Sequence, residues 1–275
     1  MLRKPRLYRL PNGRSVYYLN KTDTDMVYQE IFVEDVYRQH EMTFSAGDCI
    51  LDIGANTGLF ELFLDGECPS ATVYACEPIP AVYQVLSANI GRLKQIKATA
   101  LNIGVSNQTG SSTFSYFPRL SCASTMYPDL SSEEARRGRA FVREQFRTHR
   151  SATLRYQLTS LPEFLQASLA ERVRKYYGYN QPVNCHLRTV ASLIDEYGIE
   201  KIDFLKIDAE RSEREILEGL RPSDWDKVKQ LVVEVHEGDV VRLEIEQMLR
   251  NQGFTVAVDN NPHFENIFML YAKRN

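Results

Sequence analysis

The sequence predicts an α/β fold in which parallel strands are joined by crossover helices, and three observations carry that expectation. From Asp48 onward short apolar runs alternate with amphipathic stretches, the order that βαβ units produce. One apolar run, Cys49–Ile53, passes directly into the turn Gly54-Ala55-Asn56-Thr57-Gly58 and then into a helical stretch. At 275 residues, 43% hydrophobic and 25% charged, the chain can bury the full core such a sheet needs.

In order, the expected strands are Cys49–Ile53, Thr72–Cys76, Ala98–Ile103, Ile202–Ile207, Gln230–Val235, Phe254–Val258 and Ile267–Tyr271, all short apolar runs that read as buried. Between them Gly58–Leu64, Ala81–Arg92, Val190–Tyr197, Glu213–Leu220 and Val240–Asn251 carry apolar residues at helical spacing. Two segments break the alternation. Residues 1–47 hold a short hairpin at Leu7–Tyr18, turned by Pro11-Asn12-Gly13, and a helical stretch near Asp25–Arg38. They are expected to cap the domain formed by residues 48–275. The second segment, about residues 126–185, is rich in arginine (Arg136, Arg137, Arg139, Arg143, Arg147, Arg150) and ends in Tyr176-Tyr177-Gly178-Tyr179. A connection of that length without strand periodicity reads either as a mobile substrate lid or as a solvated helical hairpin.

Composition narrows the function classes. A net charge of −3 and an isoelectric point near 6.0 give no overall attraction to nucleic acid or to an anionic membrane. Cys49, Cys68, Cys76, Cys122 and Cys185 form no CxxC pair and are expected as reduced core residues. The amino terminus lacks the apolar stretch of a secretory signal, and no run approaches the roughly 18 apolar residues of a membrane helix. A cytoplasmic location is the default expectation.

The turn after Cys49–Ile53 is a ligand-binding turn by composition. Its glycines allow close backbone approach, and the helix it opens favours a negative group at its amino terminus. A dinucleotide fingerprint requires G-x-G-x-x-G, yet Asn56 stands at the second glycine and Leu59 at the third position. The Lys-Ser/Thr pair of a P-loop is also absent. S-adenosylmethionine carries no phosphate, only a carboxylate, an amino group, a sulfonium and an adenosine. It suits a site with acidic Asp52 before the turn and Glu77 about 20 residues beyond it, where a carboxylate can accept both ribose hydroxyl protons.

Four motifs in order carry a resemblance: Asp52-Ile53-Gly54-Ala55-Asn56-Thr57-Gly58, Glu77-Pro78, Asn102-Ile103-Gly104-Val105-Ser106 and Asp203-Phe204-Leu205-Lys206-Ile207-Asp208-Ala209-Glu210. Together they resemble the FkbM family of S-adenosylmethionine-dependent methyltransferases, from about residue 48 to the end of the chain. The resemblance implies the Rossmann-like class I methyltransferase fold, a seven-stranded, mostly parallel sheet with helices on both faces and one antiparallel strand near the carboxyl end. Tyr8-Arg9-Leu10-Pro11-Asn12-Gly13, Gln29-Glu30-Ile31-Phe32 and Tyr37-Arg38-Gln39-His40 are further similar to O-methyltransferases of polyketide and nonribosomal peptide pathways. What the resemblance implies for the cofactor is a set comprising Asp52, Gly54, Ala55, Asn56, Gly58, Glu77, Pro78, Asn102, Gly104 and Glu30. Gly54, Asn56 and Gly58 would lie along the methionine moiety, Glu77 on the ribose and Asn102–Ser106 near the adenine. One departure stands out: the family has a small Gly-Ala pair after Asp-x-Glu, where this chain has Arg211-Ser212.

Methyl transfer is an in-line displacement on a sulfonium, so the protein must align a nucleophile and take its proton. Asp208 and Glu210 follow one strand and Glu234, His236 and Glu237 lie at the end of the next, the strand ends where open α/β sheets bind ligands. His236 is expected as general base, because a neutral imidazole takes a proton near pH 7, with Glu210 or Glu237 orienting it. Asp208 either assists or fixes the cofactor amino group. His40 is expected to reach the pocket from the cap, and His149, His186 and His263 to lie on solvated or packing surfaces. Asp208, Glu234 and His236 could ligate magnesium, but their spacing is not a metal motif and no metal is expected.

The expected reaction is O-methylation of a hydroxyl on a natural-product intermediate, either a small molecule or one tethered to a carrier protein, with a homodimer as the assembly to test. The arginine-rich insertion would then meet a phosphopantetheine or an acidic carrier surface. The competing readings are methylation of a sugar hydroxyl or an amine, an NAD-dependent oxidoreductase, which Asn56 and Leu59 oppose, and a cofactor-binding scaffold without catalysis.

Overall fold

The computed structural model describes residues 6–128, 139, 142, 152–261 and 266–274. The expected hairpin forms as β1 (Arg6–Arg9) and β2 (Ser15–Tyr18), paired antiparallel across a turn in which Gly13 adopts φ +84°. Asn20 then caps α1 (Lys21–Tyr28), which runs into a single π-helical turn, Gln29–Val33, and a 3-10 turn, Val36–Arg38. One helix was expected here; the chain instead winds through three helical forms. The wider π turn rotates Ile31 inward and places Glu30 over the sheet, as such bulges do beside functional sites.

The seven apolar runs become β3 (Cys49–Ile53), β4 (Thr72–Cys76), β5 (Lys97–Leu101), β9 (Phe204–Ile207), β10 (Gln230–Val235), β11 (Thr255–Asn260) and β12 (Phe268–Lys273). They pair in the order β11-β12-β10-β9-β3-β4-β5, with β12 antiparallel to both its neighbours and every other pairing parallel. Helices α2 (Leu59–Glu67), α3 (Pro80–Ile90), α6 (Val190–Tyr197), α7 (Glu213–Glu218) and α8 (Gly238–Asn251) connect them, while α4 (Ala152–Thr159) and α5 (Glu163–Tyr177) belong to the insertion. This is the sheet implied by the family resemblance, with its one reversed strand near the carboxyl end.

Alternation along each strand divides the core into two faces. Leu205 and Ile207 of β9 face Val190, Leu193, Ile245 and Leu249 of α6 and α8. Phe204, one residue earlier, faces Phe60 and Leu64 of α2 together with Ile31, Tyr37 and Met42. The amino-terminal segment is therefore part of the main core. Hiding a side chain such as Phe204 from water stabilises by about 1.5–3 kcal/mol, which is how residues 31–42 stay docked.

A second, three-stranded sheet was not expected. Its strands are β6 (Gly104–Val105), β7 (Gly110–Tyr116) and β8 (Gln181–Arg188), in the order β6-β8-β7. Only Phe114 and Tyr116 of β7 and Cys185 and Leu187 of β8 are buried among serines, threonines and exposed polar residues, so the period of two is faint in the sequence. The strand expected at Ala98–Ile103 ends early because the Asn102 side chain turns back to donate to the carbonyls of Glu77 and Pro78 at 2.9 and 3.0 Å. Of the insertion's arginines, Arg136, Arg137, Arg143, Arg147 and Arg150 lie outside the described residues; Arg139 pairs with Glu171 at 3.4 Å. The aromatic end of the insertion is anchored by Arg119, whose guanidinium lies 4.0 Å from the Tyr176 ring and donates to the Tyr176 carbonyl. All five cysteines are free, and among the described residues no helix is long and apolar enough to cross a membrane.

Candidate active site

The glycine turn is shaped first by packing. Gly54 sits at φ +86°, and a Cβ there would lie 1.7 Å from the Asp208 carbonyl oxygen, so only glycine lets the ends of β3 and β9 meet. Gly58, at φ +87°, starts α2 against Leu86 and Asn89 of α3. Between them Asn56 is held at φ +49°, its N–H donating to Glu77 Oε2 at 3.1 Å, while Glu77 Oε1 accepts from Ile79 N at 2.8 Å. Burial pushes the Glu77 carboxyl up to about 8. When it is ionised, each of its oxygens keeps a lone pair for a ribose hydroxyl. Asn56 Oδ1 is buried and has no hydrogen-bond partner. An orphaned acceptor on a closed turn is completed by a ligand's donor, and on that observation the turn fits S-adenosylmethionine.

Beneath the turn lies a buried ionic core that sequence reasoning missed. Lys206 Nζ, on β9, is 2.9 Å from Asp52 Oδ1, 3.1 Å from the Gly54 carbonyl and 3.5 Å from Asp208 Oδ2. Asp52 is fully buried and Lys206 nearly so, which turns the Asp52 carboxylate toward the lysine under the turn. Burial lowers the Lys206 pKa, but attraction to Asp52 and Asp208 more than offsets this and leaves it raised. Glu61, also fully buried, is held well above the usual carboxylate range by burial and by Asp52.

At the carboxyl ends of β9 and β10 the acidic residues converge on His236. Its Nδ1 lies 2.8 Å from Glu213 Oε1 and its Nε2 3.7 Å from Glu210 Oε1. Glu213, in the first turn of α7, is fully buried and orients the ring. Sequence reasoning had named Glu210 or Glu237 for that task; Glu237 is exposed, and nothing in the sequence separates Glu213 from ordinary first-turn acids. Burial lowers the His236 pKa, but Glu210, Glu213 and Glu234 outweigh it and leave it well above its ordinary value. Burial also lifts Glu210 to about 8 and Glu234 to about 7. From the cap, Glu30 joins this group: burial and the charges of Glu234 and Asp208 push it to about 8.

The turn that carries Glu210 is strained. Glu210 has φ +48° and Arg211 φ +79°, and at Arg211 the glycine of the family's Gly-Ala pair would sit without cost. The Arg211 N–H donating to Glu213 Oε1 at 3.0 Å secures the turn, so the departure from the family pattern is absorbed locally.

Other expected residues fall as follows. Ala55 packs on Ala75 and Leu86, and Pro78 is half-buried beside Glu77. Gly104 lies in the small sheet, where a Cβ would meet Leu187 and Phe114. His40 does not join the pocket: its Nε2 pairs with Asp259 at 2.8 Å and its ring lies 4.8 Å from that of Tyr271. His186 is exposed on β8, and His149 and His263 lie outside the described residues. Ligand atoms of Asp208, Glu234 and His236 come within 4.8 Å of one another, with the Lys206 ammonium already against Asp208.

A sheet with one reversed strand, a glycine turn after β3, a buried acid after β4 and a polar cluster at the ends of β9 and β10 define an S-adenosylmethionine-dependent methyltransferase. The FkbM methyltransferase domain matches residues 52–256, and the chain belongs to the FkbM methyltransferase family. It is 30% identical over 256 residues to the 31-O-demethyl-FK506 methyltransferase FkbM of Streptomyces tacrolimicus, covering 93% of this chain and 91% of that one. It is 31% identical over 264 residues to methyltransferase sdnD of Sordaria araneosa, covering 94% and 93%. Similarity at 34% identity extends over 96% of the chain to the AMB antimetabolite synthetase AmbE of Pseudomonas aeruginosa, of which it spans 12%.

Proposed function

We propose that this methyltransferase places its methyl group on a hydroxyl of a polyketide or peptide intermediate of natural-product biosynthesis, free or tethered to a carrier protein. The observation that carries the reading is His236, oriented by buried Glu213 at the strand ends beside the glycine turn. Support for an oxygen acceptor comes from the FkbM relative, whose name specifies the 31-O position; support for a tethered one comes from the AmbE relative, a synthetase of which the match is a small part.

S-adenosylmethionine supplies an electrophilic methyl on sulfur and becomes the neutral thioether. The chain's residues bind and move a proton. Asn56 and Glu77 hold the donor, with Glu77 accepting from the ribose hydroxyls. His236 takes the acceptor's proton on Nε2 as the C–O bond forms, its Nδ1–H fixed by Glu213. The ring must first be neutral. The positive charge of the sulfonium would oppose a charged imidazole, and the Nε2 proton would leave to solvent before the acceptor hydroxyl takes its place. The Lys206 ammonium occupies the position against Asp208 that a cation would seek, so the chemistry is proposed to run without a metal.

Replacing His236 with Ala should lower turnover by roughly 100-fold or more while leaving S-adenosylhomocysteine affinity nearly unchanged. The assay is methyl transfer to a panel of hydroxylated polyketides and amines, free and carrier-loaded. Turnover equal to wild type would remove His236 as base, and products methylated only on nitrogen would overturn the oxygen acceptor.

A further inference from the structure

Residues 121–127 cross from α1 to the strained turn that carries Glu210, and the insertion starts at their end. Ser121 donates to Asp23 Oδ2 of α1 from its amide and, at 2.9 Å, from its Oγ. Burial, with the charges of Asp23, Glu210, Glu30 and Asp208, pushes the Cys122 thiol up, so the segment runs beside the acidic cluster. Thr125, 7% exposed, bridges to β7: its N–H donates to the Ser115 carbonyl at 3.2 Å and its carbonyl accepts from Ser115 N at 2.8 Å. Its hydroxyl is committed twice, donating to the Glu210 carbonyl at 2.5 Å and accepting from Tyr127 N at 2.9 Å. Tyr127, 43% exposed, donates its phenol to Glu215 Oε1 of α7 at 2.6 Å, and its carbonyl accepts from the Arg211 guanidinium at 3.4 Å.

Left-handed backbone at non-glycine residues persists only where its surroundings over-determine it, and Glu210 and Arg211 are such a pair. From within, the turn is held by the Arg211 N–H on Glu213. From outside it is held by Thr125, whose backbone is anchored to the small sheet, and by Tyr127. What hangs on the turn is the Glu210 carboxyl, 3.7 Å from His236 Nε2, the atom that takes the acceptor's proton. We propose that Thr125 and Tyr127 are positioning residues of the methyl-transfer site, Thr125 by fixing the Glu210 backbone and Tyr127 by bracing Glu215 and Arg211 beside it. The hydroxyl of Thr125 thus sets how closely Glu210 approaches the ring, and the start of the insertion is tied to the proton-accepting nitrogen. The assignment rests on the reading of His236 as base.

Thr125→Val deletes the hydroxyl with little change of shape, Thr125→Ser keeps it, and Tyr127→Phe removes only the bond to Glu215. The first readout needs no acceptor: nitrogen NMR of the His236 ring, which Glu210, Glu213 and Glu234 face. Thr125→Val should lower the pKa of the ring, because Glu210 draws away while the other two carboxyls stay, and Thr125→Ser should leave it in place. In a Glu210→Gln background Thr125→Val should change nothing further, since the hydroxyl acts through that carboxyl. The second readout is turnover of the hydroxylated polyketide that wild type methylates fastest. Thr125→Val should lower kcat about tenfold and Tyr127→Phe about threefold, with S-adenosylhomocysteine affinity by calorimetry unchanged and Thr125→Ser within about twofold of wild type. A Thr125→Val ring that titrates as in wild type, an equal change in Thr125→Ser, or an effect that persists in full beside Glu210→Gln overturns the proposal. Should Thr125→Val fail to fold, Tyr127→Phe decides, and wild-type kcat in that variant overturns the proposal. A wild type that methylates no hydroxyl overturns the reading of the acceptor, while the imidazole titration still decides this one.

Discussion

Replacing Lys206 with Met tests the ionic core beneath the glycine turn. The substitution keeps most of the side-chain volume but removes the ammonium that sits 2.9 Å from fully buried Asp52. Asp52 must then stay ionised without compensation or take up a proton. At pH 7, protonating a carboxyl whose ordinary pKa is about 3.9 costs about 4 kcal/mol, within the roughly 3–5 kcal/mol expected when one partner of a buried pair is deleted. At pH 5 the same protonation costs only about 1.5 kcal/mol. The destabilisation of Lys206→Met should therefore shrink by more than half between the two pH values, read from urea unfolding of mutant and wild type at each. The double variant Asp52→Asn with Lys206→Met should be more stable at pH 7 than Lys206→Met alone, because no charge is left stranded. Equal stability of Lys206→Met and wild type at pH 7, or a loss that does not change with pH, would refute the reasoning.

Gly54→Ala puts a Cβ 1.7 Å from the Asp208 carbonyl, about half the 3.4 Å at which ordinary contact begins, so β3 and β9 must separate. With the left-handed backbone added, a loss of about 2–5 kcal/mol is expected in chemical denaturation, and a wild-type midpoint would contradict the close approach. The raised carboxyls give the ligand-free protein a characteristic pH dependence. Glu30, Glu77 and Glu210 at about 8 and Glu234 at about 7 all stand above their unfolded values near 4.5, so the folded chain binds more protons than the unfolded one across that window. Their contribution is full below about pH 4.5 and is lost as pH rises through 7 to 8, so the thermal midpoint should fall between pH 6 and 8.5; a rise would contradict these shifts.

The large sheet was legible because its signal is local and strong. Runs such as Cys49–Ile53 and Gln230–Val235 are apolar along nearly their whole length, and both strands match their expected bounds. Where a strand's end is decided by a distant partner, as when Asn102 turns back to Glu77, the boundary shifted. The small sheet was illegible because each long strand buries few apolar residues and β7 and β8 are separated by the insertion. The same divide runs through the site. Gly54, Asn56 and Glu77 stand in recognisable motifs, and His236 closes an apolar run. The roles of Glu213, Lys206 and Thr125 come from burial and from partners 23, 154 and 85 residues away, which no periodicity announces.

The contact between Gly54 and the Asp208 carbonyl has a consequence for how this scaffold can diversify. With no room for an atom between them, the glycine turn and the strand end that leads to Glu210 are packed directly against each other. A substitution at Gly54 that displaces one of them therefore displaces the other. The β1–β2 hairpin, which stands outside this contact, can vary without disturbing it.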